Sequence, residues 1–152
     1  MDAALSKREF DAYAALVASS TLLQRAITDN LHEQRSDLTQ VQFEILAALS
    51  NAPEGYRMAE LADQLIVSRS GLTYQAGLLE KAGLITRARD GSDERGVVAR
   101  VTEKGRSVWE GVLPGHVALV RAAFLGLLTP DELDTLTGLL GRVTAALENS
   151  GQ

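Results

Sequence analysis

Between Ser68 and Arg95 the chain gathers side chains suited to one kind of chemistry, contact with a polyanion. Arg69 carries the group that reads guanine, and Gln75 the group that reads adenine. Ser68, Ser70 and Thr73 offer hydroxyls for phosphate or base edges, and Tyr74 stands beside them. Arg87 and Arg89 alternate along an extended stretch. They could clamp phosphates, although a plain exposed strand carries the same pattern. Arg95 sits in the polar loop Asp90–Gly96. It could enter a narrow A·T-rich minor groove, where negative potential concentrates. Asp93 could then hold its guanidinium or turn the loop; the plainer alternative is a solvated ion pair worth little.

Other chemistries are poorly supplied. The absence of cysteine removes disulfides, zinc ribbons, iron–sulfur clusters and thiol nucleophiles. His32 and His116 are the only histidines, too few and too far apart to suggest a metal site. There is no phosphate-binding glycine loop and no dinucleotide fingerprint. Gly105-x-Ser107 is followed by Val108-Trp109 and so is no nucleophile elbow. Asp131-Glu132 is explained by a helix N-terminus. These absences point away from an enzyme and call for no cofactor. Tyr13, His32, Phe43 and Trp109 could line a small-molecule pocket between long helices and a central domain; aromatics at helical spacing also serve as plain core.

A chain of 152 residues fits one domain with helical extensions. Its net charge of −5 is unevenly spread. Residues 57–106 hold nine Lys/Arg against seven Asp/Glu, and the remainder holds six against thirteen. A locally basic middle in an acidic frame suits one polyanion-facing surface, or simply an uneven solvated one. No apolar run approaches the ~20 residues of a membrane span, and the charged N-terminus lacks a signal-peptide core, so a cytoplasmic protein with no membrane partner is expected.

The elements that would hold these residues are mostly helical. Phe10, Tyr13, Leu16, Val17, Leu23, Ile27 and Leu31 recur at helical spacing over residues 8–34. Thr39 and Gln42 make a capping box for a second helix to about Leu49, ended by Pro53 and Gly55. A short helix from Arg57 to Leu65 follows. After the tight Ile66-Val67 connection, Ser68 caps a helix to Ala82 with Gly83 at its end. Leu72, Ala76 and Leu79 give that helix a buried stripe and leave the 69–75 polar face outside. Leu84–Arg89 and Val97–Val101 read as strands. Thr102 starts a long helix to about Leu128, with a kink or break expected at Pro114-Gly115. Thr129-Pro130-Asp131-Glu132 starts the last helix, whose Leu133, Leu136, Leu140, Val143 and Leu147 form a heptad-like seam.

Helix, helix, tight turn, helix, strand, polar loop, strand is the order of a winged helix-turn-helix, in which a braced helix enters a major groove. At that level the sequence resembles the MarR family of bacterial transcriptional regulators, over nearly its whole length. The resemblance rests on Asp93-x-Arg95, on Val101-Thr102-x-x-Gly105, and on Ser68…Thr73…Leu79-Glu80-x-x-Gly83-Leu84-Ile85. Tyr74 and Gly77 depart from it, standing where Arg and a larger polar residue are common.

The resemblance implies a mainly α, α+β winged helix-turn-helix fold of six helices with a two- to three-stranded β-wing. Residues 36–101 would bind DNA, and residues 1–35 and 102–152 would form a helical dimerisation region. It implies a homodimer on a pseudo-palindromic operator, acting as a repressor released by a small aromatic or anionic effector. A winged-helix protein-interaction module without DNA binding is the rival reading.

Overall fold

The computed structural model describes residues 4–34, 36–89, 91 and 96–150. Among them are six α-helices, one 3-10 turn and three short strands. In chain order these are α1 (Lys7–Glu33), α2 (Gln40–Ser50), β1 (Tyr56–Arg57), α3 (Met58–Leu65) and α4 (Arg69–Lys81). Then come β2 (Ile85–Arg89), β3 (Val97–Val101), α5 (Glu103–Ala123), the 3-10 turn Leu125–Leu127 and α6 (Pro130–Ser150). The expected mainly helical winged architecture is present, with three strands. The chain divides into two compact units, residues 25–116 and residues 1–24 with 117–152.

The first unit holds the main core. Ile45, Leu46 and Leu49 of α2 meet Leu61 of α3, Leu72 and Leu79 of α4, and Ile85 of β2, all almost fully buried. Each such side chain contributes about 1.5–3 kcal/mol of transfer free energy. The helices begin where local chemistry says they should. Thr39 Oγ1 accepts the Gln42 backbone N–H at 3.2 Å, and Gln42 Oε1 accepts the Thr39 N–H at 3.1 Å. Ser68 Oγ accepts the Gly71 N–H at 3.0 Å.

The turn between α3 and α4 was legible in place but not in conformation. Ile66 ends α3 at φ 54°, ψ 45°, in the left-handed region. Val67 N–H then reaches back to the Ala62 carbonyl at 3.1 Å and closes the helix end. A β-branched residue is strained there.

The sheet is antiparallel in the order β1-β3-β2, with Tyr56 opposite Ala99 and Arg87 also opposite Ala99. Strand alternation puts Ile85, Arg87 and Arg89 on one face of β2, which runs from the core outwards. Thr102 joins the sheet to α5: its hydroxyl donates to the Gly83 carbonyl at 2.7 Å and accepts the Gly105 N–H at 3.0 Å. A Cβ at Gly105 would strike the Leu84 carbonyl. The Thr102-x-x-Gly105 spacing therefore lets α5 start directly against the strand.

Of the kink or break expected at Pro114, the break is absent: α5 continues through it to Ala123. Proline removes the bond to the Glu110 carbonyl, but Glu110 is exposed, so water can serve that carbonyl. The helix ends at Phe124 instead (φ −141°, ψ −69°), short of the expected Leu128.

The second unit is poor in buried residues. No residue of α6 is buried, and Leu140, Val143 and Leu147 are 37–68% exposed. On α1, Phe10, Tyr13, Leu16 and Val17 are exposed as well. The stretch Glu103–Leu127 is long and apolar enough, by length and composition only, to cross a bilayer, although charged residues interrupt its apolar run.

Candidate nucleic-acid interface

Helix α4 is anchored on one side and open on the other. Leu72, Ala76 and Leu79 are at most 2% exposed, while Arg69, Ser70, Thr73 and Tyr74 are exposed, Tyr74 to 66%. Helical geometry forces this division, because residues three and four apart share a face. Ser68 Oγ, already an acceptor for the cap, lies 3.4 Å from Ser70 Oγ. Thr73 donates its hydroxyl to the Arg69 carbonyl at 2.8 Å, which leaves its oxygen as an outward acceptor. The Arg69 side chain makes no hydrogen bond or ion pair among the described residues.

Gln75 is half-buried at the flank of α4, and its Oε1 accepts from Gln42 Nε2 at 3.0 Å. Sequence reading found Gln42 as a capping residue but not as a partner of Gln75. The two are 33 residues apart, and no local pattern links them.

Arg87 is the second residue with an unforeseen partner. Its backbone N–H donates to Glu80 Oε1 at 3.0 Å, and its Nε and Nη2 donate to Glu80 Oε2 at 3.2 and 2.8 Å. Nη1 reaches the Thr73 carbonyl at 3.5 Å. The guanidinium thus lies along α4, paired to a carboxylate of that helix. The hydrogen bond from the Arg87 side chain holds the Glu80 carboxyl below its ordinary range. Gly77 leaves room for this: a Cβ there would sit 3.6 Å from Arg87 Nη2, and a longer side chain would compete for the space.

Arg89 is exposed near the open end of the β2–β3 pair, opposite Val97, with no ion pair among the described residues. Asp93 and Arg95 lie outside the described residues.

Of the four aromatic and histidine pocket candidates, His32, Phe43 and Trp109 belong to residues 25–116 and Tyr13 to the other unit. Phe43 is 4% exposed, and its ring packs on His116 with centroids 4.6 Å apart. Trp109 is partly buried against the core, its Nε1 without a partner among the described residues. His32 is exposed, and Tyr13 belongs to the other unit. A crevice of about 600 Å³ within residues 25–116 is lined by Gln34, Asp37, Leu38, Leu84, Lys104, Ser107 and their neighbours. Lys104 Nζ donates to the Ala82 carbonyl at 2.9 Å and so closes the C-terminal end of α4.

Comparison with known proteins places this geometry. The family model described as MarR family matches residues 36–96. The crystal structure of AbsC, a MarR family transcriptional regulator from Streptomyces coelicolor, superposes with a TM-score of 0.90 at 33% identity, covering 98% of this chain and 99% of that one. Sco3205, a MarR family transcriptional regulator from the same organism in complex with DNA, gives a TM-score of 0.90 at 30% identity, over 95% and 94% of the two chains. The transcriptional repressor MdtR from Bacillus subtilis is 27% identical over 138 residues, 91% of this chain and 86% of that one.

Proposed function

The chain belongs to the MarR family of transcriptional regulators, and we propose that it acts as a homodimeric repressor on a pseudo-palindromic operator, released by a small aromatic or anionic effector. It is a regulator rather than an enzyme. The observation that carries the DNA reading is α4: a helix fixed by three buried residues that offers Arg69, Ser70, Thr73 and Tyr74 to the outside. Sco3205, 30% identical over nearly the same length, is in complex with DNA. In the proposed complex α4 enters the major groove, with Ser68 and Gln75 at the flanks of its reading face, and Arg89 and Arg95 meet the backbone and minor groove from the wing. Asp93 would hold the Arg95 guanidinium or turn the loop. Arg87 acts from its place along α4.

The dimer reading rests on the apolar surface of α1 and α6, which a second copy would cover. The repressor sense is supported by the likeness to MdtR. The effector reading is supported by the crevice beside Lys104: an anionic ligand there would draw on the ammonium that closes α4. The dimer would work in the cytoplasm.

Selection from a random duplex library tests the proposal. An inverted repeat with half-sites about 34 Å apart, roughly one helical turn, is expected. If no duplex is enriched, the protein-interaction alternative takes its place.

A further inference from the structure

Gln42 is one of two buried polar residues among those described, 8% exposed, and its amide has no choice of orientation. The Thr39 backbone N–H can only donate, and it points at Gln42 from 3.1 Å, so the atom that meets it is the carbonyl Oε1. The other end of the amide is then NH₂, which can only donate. It lies 3.0 Å from the Gln75 side chain, so the Gln75 atom there is Oε1. The NH₂ of Gln75 is consequently turned away from α2. The helix cap thus sets, through two side chains, which polar atom the flank of α4 presents.

We propose that Gln42 is a positioning residue that determines base preference, by presenting Gln75 to the major groove as a hydrogen-bond donor only. The proposal rests on the DNA-binding reading above and names a specificity device within it. The usual glutamine–adenine pair needs both amide ends at once, the oxygen accepting from N6 and the nitrogen donating to N7. Here the oxygen is pinned toward α2, so that pair does not form. Gln75 instead favours acceptor edges, guanine N7 and O6 or thymine O4, and disfavours the cytosine N4 donor.

Gln42→Glu reverses the device. A glutamate still accepts the Thr39 N–H, since capping boxes use either residue. It cannot donate, so Gln75 must turn its NH₂ inward and its oxygen outward. Gln75→Glu gives the same outward acceptor with the cap untouched, and serves if Gln42→Glu does not fold.

Two measurements on the full chain decide the matter. In side-chain amide NMR without DNA, the Gln42 NH₂ should exchange slowly and the Gln75 NH₂ fast, with the Gln75 NH₂ slowed in Gln42→Glu. In duplex selection, the preference at the Gln75 position should shift from acceptor to donor edges by roughly fivefold, as for one neutral hydrogen bond. Gln42→Glu should change nothing in a Gln75→Ala background. A fast-exchanging Gln42 NH₂, identical selected sequences, or a shift that survives Gln75→Ala overturns the proposal. If the wild type enriches no duplex, the regulator reading fails and this one with it, whereas a bound wild type with unshifted variants refutes this one alone.

Discussion

Arg87 and Arg89 lie two residues apart on one face of β2, yet Arg87 is paired to Glu80 and Arg89 has no ion pair among the described residues, and salt dependence should separate them. Each cation that neutralises a phosphate releases counterions, at about 0.9 per contact in the log–log slope of affinity against salt. A dimer carries each residue twice. Arg89 has no ion pair among the described residues, so Arg89→Ala should make the slope shallower by roughly 2. Over a fourfold rise in salt that amounts to roughly a tenfold smaller loss of affinity. Arg87 already gives Nε and Nη2 to Glu80, so Arg87→Ala should leave the slope unchanged. Glu80→Gln removes the competing charge and should steepen the slope by up to about 2 as the freed guanidinium reaches phosphate. Glu80→Gln with Arg87→Ala should return it to the wild-type value. The hydrogen bond from Arg87 holds the Glu80 carboxyl below its ordinary range, so the pair persists through neutral pH and is lost only as pH falls through that lowered value. Fluorescence anisotropy at five salt concentrations on one operator duplex measures every slope. If Arg87→Ala flattens the slope as much as Arg89→Ala, the ion pair does not hold Arg87 off the backbone, and the reasoning fails.

Sedimentation at micromolar concentration should give about twice the 16.3 kDa chain mass, and a clean monomer would refute the dimer. Ile66→Gly should raise the unfolding free energy by about 1 kcal/mol, because it relieves the left-handed strain. Ile66 is 70% exposed, so little packing is lost; an unchanged or lower Tm contradicts this. Burial lowers the pKa of His116, against an opposing pull from Glu44. The unfolded chain therefore binds that proton more readily, and stability should fall as pH drops from about 7.5 through the histidine range. Denaturant titrations should show a flatter profile for His116→Gln, and parallel profiles would dismiss the effect. Arg95→Ala should stay within about 0.5 kcal/mol of the parent in stability while shallowing the salt slope by roughly 2; unchanged binding would remove Arg95 from the interface.

What could be read from sequence was what is local. The caps at Thr39, Ser68, Thr102 and Thr129 act within three residues and were legible from spacing. The buried stripe of α4 followed from helical period. Strand β1 was not legible as an element, because two residues carry no pattern; it exists because the free edge of β3 offers Ala99 and Val98 as partners. Pro114 does not end α5 because proline penalises a helix by what it leaves unbonded, and that depends on exposure. At the site, residue types were legible and their commitments were not. Arg87 reads as a free cation until the α4–β2 turn brings Glu80 beneath it, and Gln75 reads as a free amide until α2 packs beside it.

These two commitments act in one direction. A chain of net charge −5 approaches a polyanion against a long-range repulsion, and on the described part of its reading face Glu80 neutralises one of the few arginines. On the proposed DNA reading, the charge-driven, sequence-independent part of binding would thereby be kept small. The shape-fixed part is kept intact, since Arg87 still holds the strand to α4 and Gln42 still fixes Gln75. Specificity is the ratio between the two, so lowering the nonspecific term raises it as surely as adding a base contact. Glu80→Gln should therefore bind random duplex more tightly by a larger factor than it binds the operator.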